Sequence, residues 1–284
     1  MAETLLMGAV AYDPKVVTIW EGFRRWLRAS GLDVDFVLYS HYERQVDDLV
    51  AGRIHTAWNS PLAALRAERL ARARGRSVRA TVMRDTDRDL TSVVVVRADS
   101  GLASAADLKG QTVAVGAVDS PQSTLIPLDH LRSLGLRPGE DVTVRRFEVG
   151  VGLHGDHIGG ERDAARALAA GEVDAACMID GNHLLFTQEG SLPAETRIVA
   201  QTPPYDHCTM TEVDTAPAEE AARFTELLLA MSYADPQVRP LLDLEGLRVW
   251  REGRTSGYAQ LERAVDAVGF YDAEGRVTAA EYAP

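Results

Sequence analysis

Short apolar runs alternate with longer amphipathic stretches over about the first 90 residues. The runs predict strands, and the stretches, whose apolar residues recur at helical spacing, predict helices. This alternation is typical of βαβ units around a mainly parallel sheet. The predicted strands are Leu5–Val10, Asp33–Tyr39, Ile54–Trp58 and Arg79–Arg84, and the predicted helices are Pro14–Ala29, Tyr42–Ala51 and Pro61–Arg74.

The pattern restarts at Val93, which predicts a second lobe over 93–204. The first lobe is then discontinuous, 1–92 plus 205–284, and the helices Pro217–Ala230 and Ser256–Val268 are predicted to complete it. Two crossings between lobes predict a hinge, with a ligand at the carboxyl ends of the strands. The predicted strands of the second lobe are Val93–Val96, Thr112–Val115, Val142–Phe147, Val173–Ile179 and Thr196–Gln201.

A polar turn after the strand Thr112–Val115 is the strongest candidate site. Ser120 is its predicted N-cap and Pro121 its first helical residue. Unpaired N–H groups and the helix dipole favour an anion at such a turn, although a serine cap with no ligand is the alternative. The candidate ligand-binding residues here are Asp119, Ser120, Gln122, Ser123 and Thr124.

Four segments in order carry a family resemblance: Ile-Trp-x-x-Phe at 19–23, Ile54–Leu62, Asp-Leu-Lys-Gly-x-Thr-Val-Ala with Asp-Ser-x-x-Ser-Thr-x-x-Pro at 107–127, and Ala167–Asn182. They resemble the phosphonate/phosphate-type periplasmic substrate-binding proteins of ABC transporters. The resemblance implies an α/β, two-lobed type II periplasmic-binding-protein fold, each lobe a mainly parallel sheet flanked by helices. It also implies a small polar or anionic ligand in the cleft and an ABC permease as partner if the protein is exported.

The chain departs from the family at the anion turn, where Ser-Thr-Ser-Gly is usual and Ser120–Thr124 reads Ser-Pro-Gln-Ser-Thr. Proline removes a backbone donor and glutamine adds a longer side chain. A carboxylate or a neutral polar group therefore rivals a tetrahedral oxyanion as the ligand.

Other candidate ligand-binding residues follow predicted strands and should face the cleft by the end-of-strand rule. Ordinary helix capping is the alternative for Asn59 and Ser60, which precede Pro61. The set is Tyr12, Tyr42, Asn59, Ser60, Ser92, Asp180, Asn182, Tyr205 and His207.

A glycine-rich segment, 152–161, carries His154, His157 and Glu161. A helix beginning near His157 would place His157 and Glu161 on one face, where imidazole and carboxylate hold a divalent metal or act as acid and base. With His207 they form a candidate metal site, although the spacing matches no standard zinc motif and hydrogen bonding to the ligand is the alternative. No other cofactor is indicated.

The two cysteines have separate interpretations. Cys208 follows His207, and neighbours on a strand point to opposite faces, which argues against a direct Cys–His pair. Cys177 lies in an apolar strand and is predicted to be core. Two cysteines suit a reducing compartment.

Charge and length limit the partners and the location that can be expected for the chain. The formal net charge of −12 with no basic run argues against nucleic acid and an anionic membrane surface as partners. No stretch has the length of a membrane span. The start Met1–Thr4 has no export signal, which predicts a cytoplasmic location, with a periplasmic or extracellular one as the alternative if a leader was trimmed.

An enzyme on the same fold remains an alternative function. A closing cleft that contains His, Glu and Asp suits acid–base or metal-assisted lyase, decarboxylase or dehydratase chemistry on a small acid. His154 or His157 would then be the base and Glu161 its orienter or the acid.

Overall fold

The structure is a computed structural model that describes residues 3–283, and its strands form two sheets flanked by helices. In chain order the strands are β1 (Leu5–Val10), β2 (Val34–Tyr39), β3 (Thr56–Asn59), β4 (Val78–Arg84), β5 (Ser92–Arg97), β6 (Thr112–Val115), β7 (Thr143–Arg146), β8 (Ala175–Ile179), β9 (Thr196–Gln201), β10 (Thr209–Val213) and β11 (Trp250–Glu252). The helices are α1 (Lys15–Ala29), α2 (Tyr42–Val50), α3 (Pro61–Ala73), α4 (Ile126–Ser133), α5 (Gly159–Ala169), α6 (Asp180–Glu189), α7 (Ala218–Ala230), α8 (Arg239–Glu245) and α9 (Ala259–Val268).

Both sheets are mixed, which corrects the prediction of mainly parallel sheets. The first has the order β11-β4-β10-β3-β1-β2, and β10 runs antiparallel between β3 and β4. The second has the order β7-β6-β8-β5-β9, in which β5 is antiparallel to both neighbours. The reversed strands β5 and β10 lie next to the crossings, where the chain direction does not follow the βαβ repeat. The α/β class and the two-lobed architecture are confirmed.

The first lobe has an aromatic core between α1 and its sheet. Trp20 and Phe23 lie on the apolar face of α1, as their spacing predicts, and are buried. Phe23 packs edge-on against Trp250, with ring centroids 5.9 Å apart, and Trp250 packs on Trp58 at 5.6 Å. This packing fixes β11, which sequence reasoning missed together with β10 and α8.

The C-terminal part of the chain packs against both lobes. Leu261 of α9 and Phe270 share one buried cluster with Leu62 of α3 and Ile126 of α4. Helix α9 therefore contacts both lobes, and its assignment to the first lobe stays a prediction. The crossings meet where Leu90 pairs with Tyr205, and the division of the chain at 92/93 and 204/205 stays a prediction.

Within residues 3–283, none of the helices combines the length and apolar composition required to span a membrane.

Candidate functional site

A cleft of about 360 Å³ opens between the two sheets and is lined from both of them. A larger depression, about 880 Å³, lies on the surface between Gly31–Asp33 and α7, within the first lobe only. We take the interlobe cleft as the candidate site because side chains from both crossings converge there. Its polar lining includes Tyr12, Lys15, Arg84, Asp87, Gln122, Asp156, Asn182, His207 and Cys208.

Four of the predicted ligand-binding residues line this cleft: Tyr12, Gln122, Asn182 and His207. Tyr12 follows β1 and Asn182 lies in the first turn of α6, so the end-of-strand rule located both. Burial, with Glu245 and Asp156 nearby, raises the pKa of Tyr12, so its hydroxyl is a neutral donor and acceptor.

The predicted anion turn forms but is closed to a ligand. Ser120 is the N-cap, and its Oγ accepts from the Ser123 N–H at 3.3 Å and from the Ser123 hydroxyl at 2.7 Å. The Ser92 hydroxyl donates to the Gln122 carbonyl at 2.5 Å and lies 2.6 Å from the Tyr205 hydroxyl. Thr124 lines a different cavity, beside α4.

The glycine-rich segment covers this turn. The Gln122 side-chain N–H donates to the Gly155 carbonyl at 2.8 Å, and a Cβ on Gly155 would clash with Ser120 Oγ. The Asp119 carboxylate accepts from the N–H groups of Gly152 and His154, at 2.7 and 3.1 Å. The chain itself thus occupies the space in front of the turn.

The first-lobe candidates Asn59 and Ser60 have partners within the chain, and Ser60 is the N-cap of α3, as the capping alternative predicted for it. The Asn59 Oδ1 accepts from Gln45 Nε2 at 2.8 Å, and the Ser60 Oγ accepts from the Ala63 N–H at 3.1 Å at the start of α3. Both side chains are fully buried.

His154 belongs to a buried network between the lobes. Its Nδ1 lies 2.7 Å from Ser60 Oγ, and its Nε2 lies 3.0 Å from Glu43 Oε1 and 3.2 Å from the Tyr282 hydroxyl. The ring stacks on Tyr42 at 4.7 Å. Although burial opposes it, the contacts with His154 and Tyr282 lower the pKa of Glu43 to about 2. His154 therefore joins the lobes and has no face toward the cleft.

The predicted metal site of His154, His157, Glu161 and His207 is not assembled. Helix α5 begins at Gly159, so His157 precedes it and its Nδ1 accepts from the Gly159 N–H at 3.2 Å. Glu161 is buried and accepts from Ile179 N at 3.2 Å and Asn182 Nδ2 at 2.8 Å. Burial raises the pKa of Glu161. The catalytic roles suggested for an enzyme lose their shared site for the same reason.

The remaining candidates have structural partners. The Asp180 carboxylate accepts from the Thr91 hydroxyl at 2.9 Å at the exposed start of α6. The Tyr42 hydroxyl donates to the Asp156 carboxylate, which does line the cleft.

The structure brings together a cluster that sequence reasoning missed, formed by Asp87, His207 and Cys208. The Nδ1 of His207 lies 3.1 Å from Cys208 Sγ and 3.6 Å from Asp87 Oδ1. The argument against a Cys–His pair is wrong because these residues lie in irregular chain before β10, where strand alternation does not apply. Applying the end-of-strand rule to β4 would have found Asp87.

Acidic side chains outnumber basic ones around Arg84 in this part of the cleft. Arg84 contacts Asp87 through two hydrogen bonds, 2.6 and 2.9 Å, and Glu245 at 3.3 Å. Burial opposes ionisation of Asp87, yet the Arg84 guanidinium lowers its pKa to about 2. Burial raises the pKa of Glu245 to about 7 and also raises that of Asp156. One guanidinium therefore faces two buried carboxyl groups, Asp87 and Glu245, and the half-buried carboxyl group of Asp156.

The fold and its cleft define a two-lobed solute-binding protein. A family model described as "ABC transporter, phosphonate, periplasmic substrate-binding protein" matches residues 8–258. The chain belongs to this phosphonate-binding family, which confirms the resemblance found in the four sequence segments.

Solved structures of the same fold agree. PhnD1 from Prochlorococcus marinus (MIT 9301), in complex with methylphosphonate, is 15% identical with a TM-score of 0.70, covering 94% of this chain and 98% of that one. XAC2383 from Xanthomonas citri, bound to chloride ion, is 19% identical with a TM-score of 0.70, covering 94% and 100%. The aliphatic sulphonate binding protein SsuA from Escherichia coli is 17% identical with a TM-score of 0.55, covering 94% and 84%. No curated protein matches this chain.

Proposed function

We propose that this protein binds one small polar solute in the interlobe cleft and presents it to an ABC permease. The observation that carries the proposal is the cleft itself, about 360 Å³, with polar side chains from both lobes around it. A site divided between lobes suits a solute whose binding favours closure. Membership of a substrate-binding family supports the permease as partner.

The Ser120–Thr124 turn does not bind the solute in this proposal; side chains that line the cleft do. The hydroxyls of Ser120, Ser123 and Ser92 are paired within the chain, and Gly155 covers the turn. Donors and acceptors that do face the cleft come from Tyr12, Lys15 and Gln122, among others. We infer that these groups, together with the Asp87–His207–Cys208 cluster, select the solute.

Filling the cleft tests the proposal. Gly181 lines the cleft, is exposed, and has nothing within 4 Å of an added Cβ, so Gly181→Phe should block the cleft without disturbing the packing. Its control is Ala169→Leu, an exposed position at the end of α5 outside the cleft. Phosphate, methylphosphonate, an alkyl sulfonate, a dicarboxylate and an amino acid would be screened by thermal shift and calorimetry.

We expect at least one compound to bind the wild type and Ala169→Leu with one-to-one stoichiometry, and none to bind Gly181→Phe. Binding that survives in Gly181→Phe, or a panel with no binder, contradicts the proposal.

The compartment is a separate prediction. The family model describes a periplasmic protein, which makes the periplasm the alternative to the cytoplasmic location predicted above. Fractionation of the native cells, with antibody detection of the chain, distinguishes the two.

A further inference from the structure

The cluster of Asp87, His207 and Cys208 has the donor set of a zinc site. A carboxylate oxygen, an imidazole nitrogen and a sulfur lie within 4.8 Å of one another, and all three residues are buried. Zinc–ligand bonds of about 2.0–2.3 Å at tetrahedral angles separate donor atoms by about 3.3–3.8 Å. The separations from His207 Nδ1, 3.1 Å to Cys208 Sγ and 3.6 Å to Asp87 Oδ1, are close to that range.

The surroundings of His207 direct its Nδ1 lone pair toward the cluster. Gln122 donates its amide N–H to the Gly155 carbonyl, which turns its Oε1 toward His207 Nε2, 3.3 Å away. That Nε2 therefore carries the hydrogen, and Nδ1 is free to ligate. Histidine ligands in proteins are usually oriented by such an acceptor on the other ring nitrogen.

Asp87 is oriented in a similar way. Arg84 donates to both of its carboxylate oxygens, which leaves further lone pairs for a cation. The Asp156 carboxylate accepts from the Tyr42 hydroxyl and lies 3.9 Å from Cys208 Sγ. The Glu245 carboxyl group contacts Arg84, which also contacts Asp87. Lys15 is exposed and lines the cleft. Acidic side chains thus outnumber basic ones around the cluster, and a divalent ion there would balance that difference.

We propose that Asp87, His207 and Cys208 bind a zinc ion, with the fourth coordination position facing the cleft. Binding releases the thiol proton of Cys208 to solvent and forms the S–Zn bond, with no change in oxidation state. Resting on the proposed function, the open position would take an oxygen of the solute and supply the positive charge that the closed Ser120–Thr124 turn does not offer.

The test is a metal titration of reduced protein stripped with a chelator. Zinc binding would be measured by competition with a chromogenic chelator, and cobalt(II) would report the sulfur ligand through its thiolate charge-transfer absorption. We expect the wild type to bind one zinc ion per chain. In Cys208→Ser and His207→Gln we expect the affinity for zinc to fall by about 100-fold or more. Cys177→Ala is the control because Cys177 lies in β8, in the core of the second lobe.

A cobalt spectrum without the thiolate band, or zinc affinity equal in wild type and Cys208→Ser, overturns the metal site. Protection of wild-type Cys208 from alkylation by zinc, located by peptide mass mapping, supplies the same answer if the variants do not fold. If the wild type binds no zinc but does bind a solute, and Gly181→Phe blocks that solute, this inference alone is overturned and the proposed function stands.

Discussion

Two buried histidines, His154 and His207, lie in the region between the lobes, and their surroundings differ in one respect. His154 has a partner on every side: Ser60, Glu43 and Tyr282 by hydrogen bond and Tyr42 by stacking. His207 has Gln122 on one nitrogen and, on the other, a thiol and a carboxylate that face the cleft. Two buried histidines therefore have different roles, since both ring nitrogens of His154 have partners within the chain, whereas the thiol and the carboxylate beside His207 have donor capacity left.

The largest expected effect comes from removing the His154 ring. His154→Ala deletes one partner of the ionised Glu43, leaves the Tyr271 hydroxyl as the other, and opens a void beside Tyr42, so we expect a loss of about 4 kcal/mol in the free energy of unfolding. His207→Ala should cost about 1 kcal/mol, because water in the cleft replaces the ring. Urea unfolding of both variants and wild type measures the difference. Equal losses would show that the two clusters do not differ as described.

A smaller effect should appear in the pH dependence of stability. Burial raises the pKa of Glu245 from 4.5 to about 7. Between these values the native state holds a proton that the unfolded state has lost, so the free energy of unfolding falls as pH rises through this window, by about 3 kcal/mol. Glu245→Gln removes this contribution.

The measurement is urea unfolding of wild type and Glu245→Gln at pH 5 and pH 8, with Glu262→Gln, exposed on α9, as the control. Identical pH dependence in wild type and Glu245→Gln would mean that Glu245 ionises in the native state as it does in water.

The smallest effect tests how closely the glycine-rich segment covers the turn. Gly155 and Gly190 both have positive φ, +77° and +79°, but only Gly155 has neighbours that an added Cβ would meet. Both alanine variants incur the backbone cost, and Gly155→Ala adds a clash with Ser120, which we expect to cost about 2 kcal/mol more. Thermal or urea unfolding of the pair checks this, and equal destabilisation would mean that the segment yields easily.

Local signals in the sequence predicted local structure well. Ser120 and Pro121 located the start of a helical turn, and the alternating pattern located β1 to β9 within a few residues. Strand β10 was missed because Thr209–Val213 is buried throughout although three of its five residues are polar, so neither an apolar run nor a strict alternation marks it. The sequence predicted the loops that line the cleft better than it predicted the contacts their side chains make.

Most of the errors at the site concern contacts between residues far apart in the sequence. Gly155 follows Ser120 by many residues, and no local pattern shows that it covers the turn. Glu43 and Tyr282, which surround His154, lie far from it and from each other in the chain. Asp87 and Cys208 meet only because both crossings end at the same side of the cleft. Such contacts depend on tertiary structure, to which spacing rules do not apply.

The position of β10 has a consequence for the order of folding. Every strand of the second sheet lies within 92–201, whereas β4 of the first sheet has only β10 and β11 as partners. During synthesis, all strands of the second sheet therefore emerge before β10, the strand that pairs with β3 and β4, has been made. We expect the second lobe to fold first, and a nascent chain halted between 201 and 209 to expose strand edges that favour aggregation.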